Sequence, residues 1–266
     1  MTRLRAYLTG IGVIGPGLAD WPATEAVLRG EAPYVPAETV LPSPEALAPT
    51  ERRRAGRVVR LVLAAGLEAA RRAKRSPADL PVVFASSGGD GDNCDAICRT
   101  LASPNRALSP TRFHNSVHNA PAGYWSIAAG ARVPTTTVCC YDASFAAGLL
   151  EALVQCIASG TETALVAYDL EYPPPLRATR PTAAPYGVGL VLRATPDGRE
   201  LAHLAAKLAP GRVDRPYDAE LARLADTNPA ARSLALLEAV ARRESRKVVL
   251  PYLDPASLEV EVAPCG

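Results

Sequence analysis

Short runs of branched and aliphatic residues alternate along this chain with longer stretches whose apolar positions recur at helical spacing. That alternation limits the fold more than any other feature. Residues 4–15 (LRAYLTGIGVIG) form an apolar run ending in glycines, which predicts a buried first strand and a tight turn. Asp20 to Leu28 suits a short helix, and residues 31–50, with five prolines and little periodicity, suit a surface loop. Arg57 to Lys74 is the clearest helix. Val58, Leu61, Val62, Ala65 and Ala69 share one stripe, and Arg71, Arg72, Lys74 and Arg75 gather where cations complement the helix dipole. Val82 to Ala85 reads as a buried strand opening onto Ser86-Ser87-Gly88-Gly89. A helix is expected near 92–103, a strand over Pro134 to Cys140, an apolar helix over Ser144 to Ser159 and a strand over Thr163 to Tyr168. After a proline-rich crossing at 171–185, strands are expected near 186–194 and 199–208, with Asp197-Gly198 as the turn. Leu234 to Arg243 suits a helix, and Val248 to Val262 is mostly extended. This order predicts an α/β fold with a largely buried mixed sheet and flanking helices.

A chain of 266 residues is long enough for one large core, and 48% apolar against 21% charged residues is ordinary for a soluble globular protein. A net charge of +2 provides no field directed at nucleic acid or an anionic membrane, so neither is expected as a partner. No leader segment and no apolar run long enough for a membrane helix are expected. Six unevenly spread cysteines fit a reducing cytoplasm rather than a disulfide framework.

Three patterns could carry chemistry. Gly10-Ile11-Gly12-Val13-Ile14-Gly15 satisfies G-x-G-x-x-G after a strand, the pattern of an NAD(P) pyrophosphate site. Pro16 and Gly17 follow at once, where a helix should open, and the stretch Pro33 to Val40 lacks the acidic second strand end, so a strand-to-loop turn is the better reading. Cys94-x3-Cys98 followed by His114-x3-His118 imitates zinc-ligand spacing. The two cysteines fall on an expected helix in a chain with its own core, so no metal and no cofactor are expected. Cys139-Cys140 ends a strand just before an apolar helix, whose N-terminus favours a thiolate; a nucleophile and a pair of core cysteines are both open readings there.

Several segments, in order, resemble the N-terminal half of a β-ketoacyl-acyl-carrier-protein synthase, a thiolase-like α/β fold. Thr9 to Pro16 resembles the opening strand and turn, and Arg57 to Ala73 the first long amphipathic helix. Val82 to Gly89 resembles the second strand and its small-residue turn, and Leu108 to Asn115 with Asn119 to Gly123 the approach to the active-site strand. Pro134 to Gly160 resembles that strand and the helix carrying the nucleophile, followed by Thr163 to Tyr168 and Tyr186 to Leu192. The resemblance implies a single domain over 1–266, with 212–266 as a family-specific C-terminal extension.

The departures matter as much. Synthases place a nucleophilic cysteine at the strand–helix elbow. Counting along the family spacing forward from Pro134 reaches Asp142, and counting back from Gly160 reaches Ala143; both miss Cys140. The catalytic histidines and lysine of the family belong to its C-terminal half, whereas His114, His118 and His203 lie in the part matching the N-terminal half. No catalytic residue is therefore expected. The resemblance implies a chain-length-factor-like subunit, as in aryl polyene-type type II pathways, that pairs with a full-length β-ketoacyl-ACP synthase as a heterodimer, or with itself as a homodimer. Thr135, Thr136 and Thr137 would then lie on the pairing strand, with Phe113, Tyr124 and Trp125 as candidate contacts near the acyl tunnel. Arg52, Arg53 and Arg54 are candidates for docking an acidic acyl carrier protein. The rival expectation is a self-sufficient acyltransferase using Cys140 with His114 or His118.

Overall fold

The computed structural model describes residues 3–182 and 184–265. Strands β1 (Leu4–Ile14), β2 (Val82–Ala85), β3 (Thr135–Val138), β4 (Thr163–Asp169), β5 (Tyr186–Arg193), β6 (Ala202–Ala209), β7 (Arg246–Pro251) and β8 (Ser257–Pro264) form one sheet in the order β3-β2-β4-β5-β1-β6-β8-β7. β2 runs parallel to β3 and β4, and the remaining pairings are antiparallel. The helices are α1 (Trp21–Arg29), α2 (Pro49–Arg52), α3 (Arg57–Arg72), α4 (Gly91–Ala102), α5 (Pro110–His114), α6 (Ala120–Ala129), α7 (Ser144–Ser159), α8 (Leu176–Thr179), α9 (Ala219–Thr227) and α10 (Leu234–Ala241).

The period of two along each strand sorts side chains between two apolar layers. On β2 and β4, Val83, Ala85, Leu165 and Ala167 join α7, α9 and α10 on one face. Val82, Phe84, Ala164, Val166 and Tyr168 join α3 and α6 on the other. β1 keeps its face through a bulge between Leu8 and Gly10, so that Ala6 and Leu8, then Ile11 and Val13, all reach the α7 side. Gly12 consequently faces α3, where an added Cβ would overlap the Ala65 carbonyl. The glycines let helix and sheet approach closely.

The structure corrects the sequence expectations in three places. β3 is four residues long, shorter than the expected Pro134 to Cys140 strand, because the backbone turns at Cys139 towards α7. α9 was not expected, although Asp218 accepts from Glu220 N and Leu221 N as its cap, and Leu221, Leu224 and Ala225 bury one stripe. The 19 residues Tyr141–Ser159 do have the length and hydropathy of a membrane span, contrary to the expectation of no such run. Half of that segment is buried, and α7 owes its apolar character to lying against β1, β2, β4 and β5.

The two sheet edges differ. At β7, Asp214 closes the outer side: its carboxylate accepts from Val249 N at 2.8 Å and its own N–H donates to Val249 O at 2.9 Å. At β3, Val82 N donates to Pro134 O and Ser86 N to Val138 O. The even-numbered residues thus face β2, and alternation turns the amides of Thr135 and Thr137 outward. An open edge of this kind is a template for another strand.

Candidate functional site

Between β3 and α7 the chain makes a tight elbow through Cys139, Cys140 and a single 3-10 turn, Tyr141–Ala143. Ser144 fastens it: Cys140 N donates to Ser144 Oγ at 3.0 Å, and the same hydroxyl donates to Tyr141 O at 2.7 Å. Tyr141 takes φ +52°, a left-handed conformation that is costly for a bulky residue and persists only where its surroundings enforce it. Its ring is 63% exposed, with the Arg180 guanidinium 3.7 Å over the ring centroid. Arg180 also donates to Asp142 Oδ1 at 2.7 Å, while Arg232 donates to Asp142 O at 2.6 Å and pairs with its carboxylate at 3.3 Å. Ala143 is buried. The bend therefore presents a tyrosine ring outward, holds its carboxylate between two guanidiniums and turns a methyl group into the core.

The thiols beside it are poorly placed for nucleophilic work. Burial, and then the neighbouring Cys139, push the Cys140 thiol above its ordinary range, the reverse of what activates a nucleophile. Cys139 is exposed and its Sγ donates to Ser87 O at 3.3 Å. The three imidazoles are scattered. His203 stands on β6 against Tyr7, with ring centroids 5.2 Å apart, and exposed His114 meets Tyr124 edge-on. His118 packs against Gly89, and burial, opposed by a hydrogen bond to the Ser86 backbone, holds its pKa below the ordinary value.

Beneath the elbow lies a closed polar floor. Asp169 accepts from Ser87 Oγ at 2.7 Å, Ser87 N at 2.8 Å, Ser86 Oγ at 3.2 Å and Ala230 N at 3.1 Å. Burial pushes this carboxyl up to about 6 in spite of those donors. Tyr172 closes over the Ser86–Gly89 turn, leaving no space for a side chain at Gly88. Neither the Asp169 floor nor the Arg180 and Arg232 clamp was expected from the sequence.

The other candidates are spread more widely than expected. Thr135 is exposed, Thr136 accepts from Gln155 Nε2 at 2.8 Å, and Thr137 is half-buried on the open edge. Phe113 is exposed, but Tyr124 and Trp125 are core residues. Trp125 lies edge-on to Phe84 beneath α3, where its large apolar ring gains most from burial, so of the three aromatics Phe113 alone reaches the surface. The basic run is divided too. Arg52 is engaged with Leu47 O and the Glu45 carboxylate, fixing the proline-rich loop, while Arg53 and Arg54 remain exposed.

The glycine motif has no nucleotide-binding geometry. Gly10 and Gly12 lie within β1 rather than at a helix start, and the Val13 amide already donates to the Glu68 carboxylate at 3.0 Å. Glu68 also accepts from Trp21 N at 2.9 Å and Arg72 at 2.8 Å. An anion of the protein's own thus occupies the donors a pyrophosphate would need. Cys94 and Cys98 lie on α4, apart from His118; among the described residues no three His, Cys, Asp or Glu side chains converge as a metal site.

Residues 27–250 match the family model described as the N-terminal domain of β-ketoacyl synthase. The chain belongs to that family. No curated protein matches its sequence. Among solved structures it is similar to a chain of the ketosynthase in complex with its chain length factor from Xenorhabdus doucetiae, at 22% identity and TM-score 0.73, covering 97% of this chain and 99% of that one. It is similar to a chain of the ishigamide ketosynthase/chain length factor, at 17% identity and TM-score 0.70, covering 98% and 99%. A third similarity is to a chain of a type II polyketide synthase acyl-carrier protein in complex with its ketosynthase bound to the hexaketide, at 12% identity and TM-score 0.73, covering 99% and 100%. At such identities the likeness is one of fold, the thiolase-like mixed sheet with flanking helices. The near-complete coverage in both directions means that each of these three chains has nearly the length of this β-ketoacyl synthase homologue.

Proposed function

We propose that this chain is a noncatalytic, chain-length-factor-like subunit. It pairs with a full-length β-ketoacyl-ACP synthase in the cytoplasm and shapes the acyl channel of an aryl polyene-type or related type II assembly line. The observation that carries the reading is the elbow. Where synthases present a thiolate, this chain offers Tyr141 and an Asp142 carboxylate already held by Arg180 and Arg232. With no activated nucleophile there is no acyl-enzyme intermediate to form.

Pairing is supported by the contrast between the edges, since β7 is closed by Asp214 while Thr135 and Thr137 turn their amides outward on β3. Exposed Phe113 and Tyr141 add apolar surface. An acidic carrier protein would meet Arg53 and Arg54, the exposed members of the basic run.

The test is co-expression with a full-length β-ketoacyl-ACP synthase of a type II pathway, followed by co-purification. The pair is expected to elute together and to condense acyl groups, and the isolated chain to be inactive. Thr137→Pro removes an outward amide without touching the β2 ladder, so this variant is expected to fold and to lose the partner. Condensation by the chain alone, or pairing unaffected by Thr137→Pro, would refute the reading. Arg53→Glu with Arg54→Glu should weaken carrier-protein binding most at low salt.

A further inference from the structure

Three arginines from separate parts of the chain line one cavity of about 420 Å³ beside Pro251, at the end of β7. Arg212 and Arg215 come from the loop before α9, and Arg232 from the 3-10 turn Ala230–Ser233 between α9 and α10. The loop is fixed before any ligand arrives. Asp214 bonds both backbone groups of Val249, at 2.8 and 2.9 Å, and Gly211 O accepts from Ser257 Oγ at 3.3 Å. A wall held in this way is preformed, which lowers the entropy lost on binding. Its two carboxylates are already engaged, Asp214 by Val249 N and Asp226 by Arg215 Nε at 3.0 Å. The guanidiniums keep donors in reserve. Arg215 pairs through Nε and retains both terminal amino groups. Arg232 donates to Asp142 O and pairs with its carboxylate, and keeps the remaining N–H groups of its fork. Exposed Arg212 pairs with no carboxylate among the described residues.

We infer that this cavity binds a phosphate group through Arg212, Arg215 and Arg232. A phosphate ester presents several strong acceptor oxygens in a tetrahedral array, so guanidiniums approaching from different sides can each bond it. A carboxylate is flat and singly charged, and one guanidinium fork already satisfies it. Val213 and Pro251 supply an apolar wall for the esterified part of the ligand. Such a phosphate is either free in solution or carried on the phosphopantetheine arm of an acyl carrier protein, and two titrations distinguish these sources.

The first arm is isothermal titration of the purified full chain with inorganic phosphate, which is independent of any pairing with a synthase. The second compares holo- with apo-acyl carrier protein and rests on the carrier docking proposed above. A free source gives saturable phosphate binding that weakens as sodium chloride is raised. A carrier source gives tighter binding of the holo form than of the apo form. In either case Arg212→Gln/Arg215→Gln should lose about tenfold or more of that affinity, with its melting temperature in phosphate-free buffer unchanged. Arg212→Glu, at an exposed side chain that pairs with no carboxylate, repeats the test without disturbing Asp226. Binding of phosphate and of the holo carrier that neither variant weakens would overturn the proposal, as would a wild type that binds no phosphate and does not distinguish holo from apo carrier.

Discussion

Replacing Gly12 by alanine separates the two readings of the glycine motif. An added Cβ would overlap Ala65 O and lie 2.8 Å from Ala69 N and 2.9 Å from Glu68 Cβ. Two of those atoms are backbone of α3, a helix held to the sheet by ten buried residues, so neither side can yield cheaply. Overpacking of this kind costs roughly 1–3 kcal/mol and more where backbone must move. The loss of unfolded-state freedom on going from Gly to Ala offsets only about 0.4–1 kcal/mol. A net loss of about 2 kcal/mol corresponds to a fall of roughly 4 °C in Tm for a chain of this size. Gly123 on α6 is the internal control, because a Cβ there meets nothing within 4 Å. Gly123→Ala in an exposed helix interior is expected to raise stability by about 0.5–1 kcal/mol. Differential scanning calorimetry reads both variants, and NAD(P)H should leave both melting curves unchanged. A Gly12→Ala variant as stable as the wild type would refute the close-packing argument.

Other predictions follow from the elbow and its floor. The Asp169 carboxyl titrates at about 6 in the fold and at about 3.8 in the unfolded chain. Between those values the native state holds a proton the unfolded state has released, so stability falls as pH rises from 4 to 6 and is level above, a loss of up to about 3 kcal/mol. Urea melts at pH 4.5 and 7 should differ by about 2 kcal/mol of that loss in the wild type and not in Asp169→Asn. Asp142→Ala removes the carboxylate shared by Arg180 and Arg232 while Arg232 keeps the Asp142 carbonyl; since Asp142 is 44% exposed, the expected cost is only about 1 kcal/mol, read by urea midpoint. Incubation with malonyl- or acyl-carrier protein should leave Cys140 unmodified by intact-mass analysis, and an acylated Cys140 would restore the rival reading.

How much of this could be read in the sequence depends on the range of the interaction. The β4 and α7 signals are local, and both elements fall close to where periodicity puts them because each buries what its own pattern supplies. G-x-G-x-x-G is equally local as a string, yet its meaning rests on Ala65 and Glu68, which approach only after β1 and α3 dock. Cap and stripe together made α9 legible, and the absence of a long apolar run hid it. The clamp on Asp142 was beyond reach: Arg180 and Arg232 lie 38 and 90 positions away, and nothing in the spacing announces them. Trp125 shows a related limit, since an aromatic near a family tunnel and an aromatic under a core helix have the same one-letter signal.

A left-handed Tyr141 costs about 1–3 kcal/mol, and a chain with no use for the bend would be expected to relax it. Here the strain is held by added contacts: the Arg180 guanidinium over the ring, the doubly paired Asp142 and the Ser144 hydroxyl across the turn. Those contacts rigidify a surface rather than expose an atom for reaction, as the raised Cys140 thiol beside them also indicates. A rigid aromatic projection next to an open strand edge is what a subunit needs to set a wall of a shared channel. Under the proposed pairing the elbow serves shape rather than reactivity, and mutations at Tyr141 should change which products the pair releases while leaving pairing itself intact.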